Sequence, residues 1–431
     1  MAREYKDSGI EWIGQIPKEW ILVPSKRLFS HKKQIVGEQV NDFERLALTM
    51  QGVIKRGKED NEGLQPEKFD SYQILRTNEL VFKLIDLANA KTSRVGLSPF
   101  TGIVSPAYII LRNSNPDNRF FYYWFLFMYY QLIFNQMGDD GVRSSLNADD
   151  VLNIPIPNIS LPEQQKIADY LDKVCGEIDE MVALQETMIE ELKAYKQSVI
   201  TEAVTKGLNP NVPMRDSSID WIGEIPEHWG MQRLKTLGWT QNGISQSGDY
   251  FGEDYAYPFV SYSDAYKNYS LSYPSGRANS SEEDRQRYSL IEGDVLFTRT
   301  SETIEEIGFA STCIETIPNS VYSGFLIRFR PTSDKLFKGF SKYYFRSHVH
   351  RAYFVKQMNI VTRASLGQDL LKNLVVLLPP IDEQHSIASY LDTKCSEIDS
   401  LIALKQAKIE ELKEYKKSVI YEYVTGKKEV V

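Results

Sequence analysis

The chain has 431 residues, 42% of them apolar, a formal net charge of −8 and three widely spaced cysteines. The length predicts two to four domains with real cores. No run approaches ~18 uninterrupted apolar residues, which excludes a membrane-spanning helix, and without a secretory leader at its start the sequence reads as cytoplasmic. The charge is uneven: net 0 over 1–160, −5 over 161–208, −1 over 209–380 and −2 over 381–431. Neither central segment is strongly basic, so the balance permits nucleic-acid binding without predicting it.

In chain order, the first motif is Asp7-Ser-Gly-Ile-Glu-Trp-Ile-Gly-Gln-Ile-Pro-Lys-Glu-Trp20. A body over 21–160 follows. Glu79-Leu-Val-Phe82 reads as an acidic turn entering a strand, Lys83 to Gly96 as a polar loop and Ser105 to Arg112 as a second strand. Phe120 to Phe134 reads as an aromatic helix, and Arg143-Ser-Ser-Leu146 closes the body. Side chains suited to phosphates and base edges cluster at Lys32, Lys33, Lys55, Arg56 and Lys58, in the polar loop at Lys83, Lys91, Thr92 and Arg94, and at Arg143.

Glu163 to Thr205 then predicts a long helix. Apolar residues recur at steps of three and four through Ile167, Leu171, Val174, Ile178, Met181, Gln185, Met188, Leu192, Tyr195 and Val199, with Cys175, Val182 and Ile189 widening the stripe. At 1.5 Å per residue this is a rod of roughly 65 Å. Its apolar stripe calls for a partner helix, and the cysteines on its face read as small buried residues.

The motif returns as Asp216-Ser-Ser-Ile-Asp-Trp-Ile-Gly-Glu-Ile-Pro-Glu-His-Trp229, with nine of fourteen positions identical. A second body, 230–380, repeats the skeleton with other loops. Gly293-Asp-Val-Leu-Phe297 enters a strand, Thr298 to Gly308 is polar, Ser323 to Arg330 is a strand, Phe340 to Phe354 an aromatic helix, and Arg363-Ala-Ser-Leu366 matches the earlier tetrapeptide. Here the candidates are Gln241, Asn242, Ser245, Tyr262, Ser263, Arg299, Thr300, Ser301 and Arg363. Any soluble loop is rich in such residues, so composition alone does not make them contacts. Glu383 to Thr425 closes the chain as a second helix that aligns without gaps to the first at an offset of 220, with 26 of 43 positions identical. The whole reads as one unit used twice, each body an α+β domain.

The sequence has no phosphate-binding loop ending in Gly-Lys-Ser/Thr. Leu378-Pro-Pro-Ile381 lacks the polar and aromatic residues of an amino-methyltransferase site. His348-Val-His350 lacks further ligands for a metal. No catalytic residue and no metal site is assigned.

Trp12-Ile-Gly-Gln-Ile-Pro17 with Trp20, Leu161-Pro-Glu-Gln-Gln-Lys-Ile-Ala168, and their second copies Trp221 to Pro226 with Trp229 and Asp382 to Ala388, resemble the specificity subunit of type I restriction–modification systems. The resemblance covers nearly the whole chain. It implies two target recognition domains, 1–160 and 209–380, and two helical spacers, 161–208 and 381–431. The spacers would pack as an antiparallel coiled coil with an internal pseudo-twofold. It also implies a non-enzymatic chain that reads a bipartite double-stranded DNA site and holds methyltransferase subunits, two of them, and restriction subunits. S-adenosylmethionine, ATP and magnesium would be used by those partners and not by this chain. The alternative reading is a coiled-coil scaffold that joins two protein partners and never reads DNA.

Overall fold

The computed structural model describes residues 3–57, 68–85, 87, 94–137, 145–246, 250–301, 307–357 and 364–430. They divide into two compact units. One joins Met1–Glu186 to Gln406–Val431, and the other is Thr187–Lys405. Each long helix, Leu161–Lys206 and Ile381–Val424, therefore contributes one half to each unit. Among the described residues no helix is long and apolar enough to cross a membrane.

In the first unit, the entry motif forms a hairpin of Tyr5–Asp7 with Gln15–Pro17. Strand Leu80–Lys83 lies between Ile109–Leu111 and Arg94–Leu97, and Leu46–Thr49 pairs with Gly52–Lys55 as a separate hairpin. In the second unit, Val295–Thr298 is the centre of a five-stranded sheet. Leu326–Pro331 and then Gly238–Asn242 lie on one side of it, Ala310–Cys313 and Ser270–Leu271 on the other.

The shared skeleton rests on matched interactions. A residue with positive φ opens each acidic turn, Asn78 at 66° and Gly293 at 90°, as the left-handed region requires. The following acid pairs with an arginine near the end of the neighbouring strand: Glu79 with Arg112 at 2.8 Å, Asp294 with Arg330 at 2.7 Å. The closing tetrapeptides return to the loop after the central strand. Leu146 donates its backbone N–H to the Leu84 carbonyl at 3.0 Å, and Leu366 to that of Arg299 at 2.7 Å.

The aromatic segments correct one expectation, since each is two helices rather than one. Arg119–Tyr130 stops before Leu132, which takes φ 56°, and Ile133–Met137 resumes. Lys338–Tyr344 and Val349–Gln357 are separated at Ser347, whose hydroxyl donates to the Tyr344 carbonyl at 2.7 Å. The predicted strands are also shorter than the runs suggested: Ile109–Leu111 lies within 105–112, and Leu326–Pro331 starts three residues after Ser323 and ends one past Arg330.

Within each unit the two helix halves run in opposite directions. In the first, Tyr170 stacks near Tyr423 at 4.3 Å and Asp179 pairs with Lys416 at 2.7 Å. In the second, Lys196 pairs with Asp399 at 2.6 Å while Lys405 lies 3.1 Å from the Met188 sulfur. The two ion pairs are one pair written twice, 220 residues apart.

The buried seam differs in phase from the expected stripe. It follows Cys175, Ile178, Val182, Gln185, Ile189, Leu192, Lys196 and Val199, all buried or half-buried, while Met181, Met188 and Tyr195 face solvent. The second helix repeats this, with Cys395, Ile398, Ile409 and Leu412 buried and Leu401, Leu404 and Tyr415 exposed. Both cysteines are free, and burial pushes the Cys175 thiol up to about 11. Met181→Glu and Leu404→Lys are therefore expected to shift stability by no more than about 0.5 kcal/mol. Ile398→Asp should cost several kcal/mol, because it buries a carboxylate without a partner. Calorimetric melting of the three variants checks this, and equal destabilisation by all three would refute the assigned seam.

The repeated motifs join each entry hairpin to a helix start. Trp20 donates its indole N–H to Glu163 at 3.0 Å, and Trp229 donates to Glu383 at 3.0 Å. Gln164 and Gln384 turn back to the carbonyls of Ile159 and Pro379 at 2.9 and 3.0 Å. Gly426, at φ 71°, packs on Pro17 and Trp20, so the end of the last helix belongs to the first unit, where Tyr5 also donates to the Lys427 carbonyl at 3.1 Å.

Candidate nucleic-acid interface

In the first unit, the ends of the central strands collect cations around an aromatic platform. Lys83 and Arg94 are directly opposed in the register. Like charges across a strand pair cost stability unless an anion or solvent answers them. Burial raises the Tyr108 hydroxyl above its usual range; Tyr72 adds to this, and Arg45, Arg94 and Arg56 pull it back. Three arginines thus share one neighbourhood. Arg45, 7% exposed, donates to the Gly57 carbonyl at 3.4 Å and lies 5.3 Å from the Phe69 ring. Lys55 pairs with Glu44 at 2.6 Å and sits 5.2 Å from the Phe100 ring.

Of the expected residues, Lys55, Arg56 and Arg94 come to this platform, and Lys83 lies beside Arg94. Lys32 and Lys33 are exposed, with Lys33 donating to the Pro106 carbonyl at 3.0 Å. Lys58, Lys91, Thr92 and Arg143 lie outside the described residues. Arg45 was not singled out from sequence, because it stands alone between Glu44 and an apolar strand.

In the second unit, one rim gathers the ends of four segments. Gly243 donates to the Leu326 carbonyl at 3.1 Å and Ile244 to that of Tyr322 at 2.9 Å. Ser323 donates to the Val260 carbonyl at 3.0 Å, just before Tyr262, and Arg299 to that of Phe325 at 2.9 Å. A Cβ at Gly243 would collide with the Ser323 carbonyl, and one at Gly324 with the Ser245 hydroxyl, so this close approach needs both glycines. Ser245, Tyr262, Ser263, Arg299 and Thr300 therefore share a rim with Phe325, which is 61% exposed. Thr300 pairs with Ser365, and the backbone of Ser301 with Ala364. Arg363 lies outside the described residues.

Gln241 and Asn242 lie on the edge strand Gly238–Asn242, both half-buried. Asn242 accepts from the Gln368 amide at 3.1 Å. Gln241 accepts from Arg328 at 2.6 Å. Arg328 is fully buried, and burial pulls its guanidinium below its usual range. It lies 4.7 Å from the ring of Trp239, itself 43% exposed. Sequence reading passed over Arg328 and Trp239. An arginine in a strand of Leu, Ile and Phe reads as the solvent face of an alternating pattern, and the burial of Leu326 through Phe329 on both faces removes that alternation.

The first body thus offers cations beside half-buried aromatic rings, and the second a rim of cationic, amide and hydroxyl groups with the exposed Phe325 and Trp239, both built on a common skeleton. Comparison with known proteins gives the family. The family profile described as "Type I restriction modification DNA specificity domain" matches residues 51–194 and 226–414. The chain is 24% identical over 433 residues to the type I restriction enzyme EcoKI specificity subunit of Escherichia coli, covering 90% of this chain and 86% of that one. It is 25% identical over 262 residues to the StySPI specificity subunit of Salmonella potsdam, covering 58% and 52%. Among solved structures, it matches a chain from work on complex assembly and conformational transition of the type I R-M system, with a TM-score of 0.68, 16% identity, and 95% and 98% of the two chains covered. The HsdS subunit of Thermoanaerobacter tengcongensis gives a TM-score of 0.50 at 16% identity and the same coverage. These structural likenesses carry the fold alone. The chain belongs to the type I restriction–modification DNA specificity family.

Proposed function

We propose that this chain reads a split, asymmetric double-stranded DNA site, one half-site per body, as the non-catalytic specificity subunit of a type I restriction–modification complex. The observation that carries this is the pairing of one skeleton with two different rims. Lys83, Arg94, Arg45 and Arg56 stand in the first body. Arg299, Thr300, Tyr262 and Gln241 stand in the second. Lys83 and Arg299 stand at and just past the ends of the matched central strands, and the different side chains around them would contact different base edges.

In this reading the two long helices act as an antiparallel coiled-coil spacer with pseudo-twofold symmetry, and methyltransferase and restriction subunits assemble on the chain. S-adenosylmethionine, ATP and magnesium serve those partners. Neither body is strongly basic, so much of the phosphate-backbone attraction would come from the partners.

The test is methylome sequencing of a host expressing the chain with its methyltransferase partner. The expected result is methylated adenine in one two-part motif with unlike halves and a fixed gap. A partner complex that assembles but yields no defined motif would favour the scaffold reading.

A further inference from the structure

The two bodies differ sharply at one matched buried position. Where the first holds Ile110, fully buried, the second holds Arg328, equally buried. Among the described residues no carboxylate pairs with this cation. The nearby acid Asp294 is taken by Arg330, at 2.7 Å from both Nε and Nη2. Arg328 instead donates to the Ser289 carbonyl and to the Gln241 side chain, and its Nε has no partner among the described residues. Burying a guanidinium this way costs stability, and the first body performs the same structural role with an isoleucine.

Guanidinium groups only donate. The Gln241 atom 2.6 Å from Arg328 must therefore be its oxygen, which leaves the amide NH2 turned away from the guanidinium. Gln241 is half-buried, and its NH2 has no acceptor among the described residues. Asn242 is not fixed in the same way. Its partner is another amide, Gln368, which in turn meets the Thr240 hydroxyl at 2.8 Å, and that chain can reverse as a whole.

We propose that Arg328 is a positioning residue that locks Gln241 as an outward hydrogen-bond donor, so that the second body uses it to contact an acceptor on duplex DNA. This rests on the DNA-reading function above and goes beyond it in assigning one contact and its polarity. A locked donor cannot make the two-point amide contact with an adenine edge and fits a single acceptor: guanine O6 or N7, adenine N7, thymine O4 or a phosphate oxygen.

The test uses the full chain with its methyltransferase partner. Gln241→Glu keeps the shape and satisfies Arg328 with a carboxylate, so the protein should melt at the same temperature or higher, but no donor remains. If the acceptor is a base edge, the methylome should change at one base pair of one half-site while the other half stays fixed. If it is a phosphate, affinity should fall about tenfold with no change of motif. Wild-type affinity together with the wild-type motif would overturn the proposal. Arg328→Met separates positioning from mere packing. A folded variant should relax the preference at the same base pair, or lose the same affinity, because the amide can then flip, and Arg328→Lys should restore most of it. A folded Arg328→Met variant indistinguishable from wild type would refute the positioning role, and Gln241→Glu decides the donor role even if that variant fails to fold. A wild-type chain without any defined motif would instead be a failure of the DNA-reading function itself.

Discussion

Ile420→Asp, near the end of the chain, should unfold the N-terminal body and spare the central one. Ile420 is fully buried in a cluster with Trp20, Phe120, Trp124, Phe127 and Leu171, and the neighbouring Tyr421 ring lies 5.2 Å from that of Phe127. The substitution removes a large apolar side chain and buries an unpaired carboxylate, a combined cost of roughly 4 kcal/mol or more. Domains are typically stable by about 5–15 kcal/mol, so the first unit should open measurably under native conditions. Hydrogen exchange by mass spectrometry should show lost protection across 21–160 and retained protection across 230–378. Ile200→Asp, buried with Trp229, Phe340 and Leu391, should give the reverse. If Ile420→Asp exposed the second body instead, the assignment of helix halves to units would be wrong.

The second large effect concerns specificity. Replacing residues 21–160 with the corresponding body of a relative is expected to rewrite one half of the methylated motif completely and leave the other half and the gap unchanged. The graft keeps Trp12 and the helix-start Glu163, although Trp20 and its indole bond to that glutamate must be preserved at the junction. It also keeps the helix residues Leu171 and Cys175, against which Phe121 and Phe125 share a core. The rim of the second body is untouched. Methylome sequencing reads the result directly, and a change in both halves would show that the bodies do not read independently.

Much of this architecture was legible in the sequence, because a duplicated chain supplies its own alignment. The pairing of Glu79 with Arg112 and of Asp294 with Arg330 lies within segments that the sequence had already matched. The long helices were also legible, since apolar residues recur at steps of three and four for many turns, with only scattered polar interruptions such as Gln185 and Lys405. The phase of the seam was not. Met181, Met188 and Tyr195 lie one position beside Val182, Ile189 and Lys196, so two overlapping heptad stripes were available. Lysines at 196 and 416 reach the seam only because aspartates 399 and 179 meet them, a pairing that needs the second helix in place. The rims were partly legible. Lys55, Arg56 and Arg94 were named from composition, but Arg45 and Arg328 were hidden by apolar neighbours. Their meaning comes from cross-strand partners far away in sequence.

The membership of the last helix in the first unit also has a kinetic consequence. During synthesis the N-terminal body emerges first, yet its core waits for Val419, Ile420 and Val424. The second unit is one continuous stretch, Thr187–Lys405, and all of its core has been translated before those residues appear. Domains ordinarily fold from the N-terminus onward as they emerge. Here the order of completion is inverted: the stretch made later closes first, and the stretch made first stays open, its aromatic helix Arg119–Tyr130 short of a covering surface, until Val419 to Val424 have been made. Closing the first unit also joins residues some 400 positions apart, and the entropy of that loop grows only slowly with its length. Delay, and the exposure to misassembly that accompanies it, is therefore the larger burden of this topology.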